Sequence, residues 1–114
     1  YVGGMKESAD VTPGQTNAHL NILRDIADNK TPAQLSANYA SKITEAFRKQ
    51  LTDNLKQMKS FTFLGNEKIT ENYFMLDPTA AEFYRYKMTL ADKTVYYHFR
   101  MDKEEKVGWI IFEE

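Results

Sequence analysis

The chain changes period once, near residue 60, and that switch limits its folds more than any other feature of the sequence. Before it, apolar residues recur at intervals of three or four, and after it they alternate with polar ones. The first spacing lines up side chains on one face of a helix, and the second does the same on a strand. Helices followed by a run of strands exclude the alternating βαβ pattern of a doubly wound sheet and predict an α+β chain.

In the helical half, Leu20, Ile22, Leu23, Ile26 and Ala27 form one stripe, which predicts a first helix from Thr16 that stops at Asn29. Thr31-Pro32-Ala33-Gln34 has the chemistry of a capping box with proline in the first helical position, so a short second helix carrying Leu35 and Tyr39 should follow. A third helix is expected from near Ser41, with Glu45 in its first turn and Ile43, Phe47, Leu51, Leu55 and Met58 along one side. Gly3, Gly4, Pro13 and Gly14 mark residues 1–15 as a linker or lead-in, and residues 16–114 read as the folded domain.

In the strand half, Phe61 and Phe63 predict a strand that ends as Gly65-Asn66 relaxes the pattern. Residues 67–79 give mixed signals: Tyr73 to Leu76 are apolar and Asp77-Pro78 is a break, so a short strand and an insertion both remain open. From Ala81 the signal sharpens. Tyr84, Tyr86, Met88 and Leu90 alternate with Arg85, Lys87 and Thr89, and after the turn Ala91-Asp92-Lys93 the residues Val95, Tyr97, Phe99 and Met101 alternate with Tyr96, His98 and Arg100. Two such runs predict an antiparallel hairpin with one buried face. Val107 to Phe112 is apolar on both parities, which predicts a last strand that is central or covered on both sides. The expected architecture is a curved antiparallel sheet of about four strands, wrapped with its concave face around the third helix.

A chain of 114 residues matches the usual size of one domain. Fifteen Lys and Arg against sixteen Asp and Glu leave a net charge of −1, which disfavours nucleic acid and anionic membranes as partners. Cysteine is absent, so disulfides, thiolate metal sites and thiol nucleophiles are excluded. No metal and no cofactor are expected: His19 and His98 are the only histidines, no His-Glu-x-x-His spacing exists, and neither is assigned a ligand role. The opening Tyr1-Val2-Gly3-Gly4 reads as the tail of a longer precursor.

Two groups of residues carry what functional signal there is. Glu82 shares the parity of Tyr84 and Tyr86 and is the best candidate for a carboxylate at the rim of a cavity, while Tyr84, Tyr86 and Tyr97 suit either a filled core or a ligand pocket. On the opposite parity Arg85, Lys87, Tyr96, His98 and Arg100 form a basic aromatic face suited to docking on a protein surface.

The second and third helices, Lys59-Ser60-Phe61-Thr62-Phe63-Leu64-Gly65, Phe83-Tyr84-Arg85-Tyr86-Lys87-Met88, Lys93-Thr94-Val95-Tyr96-Tyr97-His98-Phe99 and Lys106-Val107-Gly108-Trp109 together carry a family resemblance. Residues 16–114 resemble the small nuclear transport factor 2-like, or cystatin-like, domains appended to the C-terminal side of secreted beta-lactamase-like serine hydrolases and peptidases. The stretch from Glu67 to Ala80 departs from that pattern by its length. The resemblance implies a cone-shaped fold and a noncatalytic accessory role in a secreted or periplasmic hydrolase. The partner would be the hydrolase domain of the same parent chain or a homodimer mate. The alternative it leaves open is a small-molecule-binding or acid-base enzyme domain that uses the interior of the cone.

Overall fold

A computed structural model describes residues 9–68, 80–102 and 105–113 of the chain. Three helices, α1 (Gln15–Ala27), α2 (Ala37–Ala40) and α3 (Glu45–Gln57), precede four strands, β1 (Ser60–Lys68), β2 (Ala80–Thr89), β3 (Thr94–Asp102) and β4 (Val107–Glu113). The strands pair antiparallel in the order β1-β2-β3-β4, a meander in which each strand lies beside its neighbour in sequence. The α+β class and the order of helices before strands are therefore as the period switch predicts. The apolar run from Tyr73 to Leu76 and the break at Asp77 lie outside the described residues.

Register decides which side chains share a face. Tyr86 stands opposite Phe63 and Tyr97, Tyr97 opposite Phe112, and Phe99 opposite Tyr84 and Ile110. These residues all point to the side that the helices cover. Arg85 opposite His98, Lys87 opposite Tyr96 and Arg100 opposite Trp109 occupy the other side.

Both long helices pack on the covered face, at different ends of the sheet. α1 lies against β1 and meets the sheet through His19, whose ring contacts Tyr84, Tyr86 and Phe99. α3 reaches β3 and β4 through Asn54, whose Nδ2 donates to the Tyr97 hydroxyl at 2.9 Å, and through Phe47 against Phe112. The expectation that the sheet wraps the third helix alone is corrected here: Ile22, Leu23 and Ile26 of α1 are fully buried, whereas on α3 and its C-cap Leu51 is fully buried and Phe47, Leu55 and Met58 only partly so. α1 packs against both α3 and β1, and each fully buried aliphatic side chain contributes about 1.5–3 kcal/mol. Arg48 ties the two helices together, its Nε donating to the Ile26 carbonyl at 3.0 Å.

Three local expectations shift for nonlocal reasons. The Gln34 carbonyl and the Ser36 amide are engaged by Val107 of β4 at 2.8 and 3.0 Å, so this backbone adds to the sheet and does not start a helix. The second helix then begins beyond it, capped by Ser36, whose hydroxyl accepts from the Tyr39 amide. α3 starts at Glu45 and not near Ser41, because Thr44 supplies the cap by accepting from the Phe47 amide at 3.1 Å. The first strand runs through Gly65 to Lys68, and Gly65 absorbs the register shift after Phe63 with φ 117°. β4 is an edge strand, contrary to the expectation of one that is central or covered on both sides. Among the described residues its outer side is covered where Gln34–Ser36 and α2 meet it, and Ile111 is 42% exposed.

Candidate ligand pocket

The entry to α1 builds the site. Gly14 sits at φ 77°, a left-handed conformation that side-chain-bearing residues adopt only at a cost, and it turns the chain into the helix just before Gln15. Glycine has no side chain to cap the helix, and Asp10 supplies the missing acceptors from upstream. Its carboxylate accepts the Thr16 amide at 3.1 Å and the Thr16 hydroxyl. The hydroxyl bond is the main cause that holds the Asp10 carboxyl below its usual range.

The Val11 amide donates to Gln15 Oε1 at 2.8 Å, which fixes the orientation of that side-chain amide. Gln15 Nε2 therefore faces the sheet and donates to the Tyr86 hydroxyl at 2.9 Å. One turn later, His19 Nδ1 meets the same hydroxyl. The direction of this contact depends on the tautomer of the neutral ring: with the ring proton on Nε2, Nδ1 accepts from the Tyr86 hydroxyl, and with it on Nδ1 the ring donates. Burial favours the neutral ring. His19 is 8% exposed, and loss of solvent pushes its pKa down to about 4 against a weaker upward pull from Asp10. The same burial pushes the Tyr86 hydroxyl well above its ordinary value. Phe99 stacks on the imidazole at 4.8 Å, and Tyr84 and Tyr86 meet it edge-on at 5.3 and 5.4 Å.

Above this floor opens a pocket of about 400 Å³ lined by Thr12, Gln15, His19, Glu82, Tyr84, Met101, Asp102 and Glu105, a size typical of small-ligand sites. Four parts of the chain meet there: the lead into α1, the first turns of α1, the adjoining ends of β2 and β3, and the β3–β4 turn. Glu82 accepts from Asn66 Nδ2, and Asp102 Oδ1 accepts the Lys106 amide at 2.9 Å. Burial first, and then the negative charge of Glu82, raises the Tyr84 hydroxyl above its usual value.

Of the four residues that the sequence suggests for a pocket, Glu82 and Tyr84 line it and Tyr86 lies in its floor. Tyr97 is elsewhere, buried under α3 with Asn54 on its hydroxyl. Gln15 and His19 are the residues that sequence reasoning passes over. The sequence places the first in the lead-in and assigns the second no ligand role. Their signal is positional, since 15, 19, 22 and 26 follow one helical stripe and two of its four members are polar. Among the described residues no group of three His, Asp or Glu side chains could hold a metal ion.

The five residues of the proposed docking face lie together on the side of the sheet opposite the helices, all half-buried. Their charge is tempered at both ends of the rows. Arg85 pairs with Glu67 at 3.7 Å, and His98 Nε2 lies 3.2 Å from Glu113. Burial is the main cause that lowers the His98 pKa, while the Glu113 carboxylate pulls it back up. Arg85 stacks over Phe83 at 5.0 Å, and Arg100 and Lys42 flank Trp109, each at 5.8 Å. Comparison with protein-family models, with curated proteins and with solved structures finds no match to this chain.

Proposed function

We propose that this chain is a noncatalytic accessory module that holds a small ligand in the pocket between the start of α1 and the ends of β2 and β3. The observation that carries this reading is the bonding of His19. Its Nδ1 is engaged by the Tyr86 hydroxyl in the floor, so that nitrogen is not open to a proton from a substrate. A pKa near 4 and a Tyr86 hydroxyl raised by burial keep both groups neutral across the physiological range. The arrangement suits holding a ligand by a fixed hydrogen bond more than cycling a proton. The resemblance to appended domains of secreted hydrolases supports the same reading.

Half-buried aromatic and basic residues on the side of the sheet opposite α1 and α3, with Ile111 exposed beside them, support a second element of the proposal. There a hydrolase domain of a parent chain, or a second copy of this one, would pack.

The competing reading makes Glu82 a general base. A panel of small compounds titrated against protein carrying labelled methionine methyl groups separates the two, because Met101 lines the pocket. Binding that shifts the Met101 methyl signal, survives Glu82→Gln and returns each compound unchanged is the expected result. Chemical conversion of a bound compound that Glu82→Gln abolishes would overturn the noncatalytic reading.

A further inference from the structure

Resting on the reading of the sheet face opposite α1 and α3 as a docking surface, we infer that its occupant is a second copy of this chain, laid face to face about a two-fold axis that runs parallel to the strands between β2 and β3.

The order of side chains on the two central strands carries the inference. Each cross-strand pair on this face joins one cation to one ring: Phe83 with Arg100, Arg85 with His98, and Lys87 with Tyr96. An acidic partner would be served by any order of the same residues, whereas a face that pairs with itself needs this one. A two-fold axis along the strands sets β2 over the partner's β3 and keeps each row over the same row. Every cation then lies over a ring of the other copy, and no cation lies over another, which favours contact between the faces. A two-fold axis across the strands, through the Arg85 row, would instead bring Arg85 onto the partner's Arg85. Burial lowers the His98 pKa against the pull of Glu113, and the Arg85 charge adds to the lowering, so at neutral pH a neutral ring meets the partner's Arg85.

Shape and charge at the two edges agree with the same axis. In the Arg85 row β1 supplies Gly65, which has no side chain, and β4 supplies Ile111, which is 42% exposed. Each Ile111 is thereby seated over the partner's Gly65, a projection over a hollow. In the Phe83 row Glu67, with 54% of its side chain exposed, comes over the partner's Trp109, which Lys42 flanks at 5.8 Å. A carboxylate meets an ammonium there. Four strands about 4.8 Å apart and three rows about 7 Å apart make a face of roughly 400 Å² on each copy, about half of what each partner of a lasting dimer buries. The dimer is therefore weak and reversible.

Sedimentation velocity on the 114-residue chain, over a concentration series to about 1 mM, tests this. The unaltered protein should pass from monomer to dimer within that range. Tyr96→Lys sets ammonium over ammonium and Lys87→Glu takes a cation from a ring, so each should weaken the dimer about tenfold. An equimolar mixture of these two variants should recover the original affinity. In the mixed pair one contact keeps Lys87 over Tyr96, and the other joins the new carboxylate to the new ammonium. Ile111→Lys should also weaken the dimer about tenfold, and its exposed position keeps the test open should another variant fail to fold by circular dichroism. A monomer at every concentration overturns the inference and leaves the face to a hydrolase domain. A dimer that none of the three substitutions weakens overturns the docking-face reading and the inference with it. Weakening by both variants with no recovery in their mixture overturns the axis and so the inference.

Discussion

Tyr86 and Tyr97 stand side by side on β2 and β3, both fully buried, and each has its hydroxyl met by polar side chains from a helix. α1 answers Tyr86 with Gln15 and His19, whereas α3 answers Tyr97 with Asn54, whose own Oδ1 accepts from Gln50 Nε2 at 3.2 Å. The difference lies in what surrounds the pair. Gln15 and His19 also line the pocket, so their polar groups face open space on one side, while Asn54 is 2% exposed and lines neither this pocket nor the one between α1 and α3. The same device, a helix amide on a sheet phenol, serves packing at one end and leaves a site at the other. One titratable group makes the Tyr86 end sensitive to solution conditions in a way that the Tyr97 end is not.

The largest expected effect is on stability in acid. With a folded pKa of about 4 and an ordinary value of 6.5, His19 stays neutral in the folded chain while the unfolded chain takes up a proton between those limits. Stability is therefore full above about pH 6.5 and falls as pH drops toward 4, by roughly 3 kcal/mol. His98, also lowered by burial, adds a loss of the same sign, and Asp10 opposes the His19 effect by attracting the imidazolium. Denaturant midpoints at several pH values check this, and His19→Gln should remove the larger share of the slope while the His98 share persists.

Next comes the closed end. Tyr97→Phe strands the Asn54 amide in the interior and should cost about 2 kcal/mol, read from chemical denaturation. Tyr86→Phe should cost less, about 1 kcal/mol, because water in the pocket has access to Gln15 and His19. Equal losses for the two substitutions would erase the proposed contrast between a dry end and a wet one. Smallest of all, Glu82→Gln should change stability by less than about 0.5 kcal/mol, since the carboxylate sits at the rim and a Gln side chain can still accept from Asn66 and the Tyr84 hydroxyl.

Much of this was legible in the chain. The alternation from Tyr84 to Met101 on either side of the turn predicts the hairpin and both of its faces, because a half-buried strand writes its burial directly into the sequence. The site was legible only from the sheet side. Glu82 and Tyr84 announce themselves by parity, but Gln15 and His19 are polar residues on a helical stripe judged by its apolar members, and Asn54 hides in the same way beside Leu51 and Leu55. Partnership across the fold accounts for other differences. Gln34 and Ser36 pair with Val107, more than seventy positions away, and no local capping rule reveals that. Trp109 and Ile111 made the last strand look covered on both sides, yet Trp109 is an edge residue sheltered by Tyr39 at 4.9 Å, and Ile111 is exposed.

The account turns on the protonation of one ring, and nitrogen-detected NMR of His19 across pH reads it directly. The prediction is a neutral imidazole at pH 7, with Nδ1 engaged by the Tyr86 hydroxyl and a midpoint near 4. A midpoint at or above the ordinary 6.5 would contradict the noncatalytic reading.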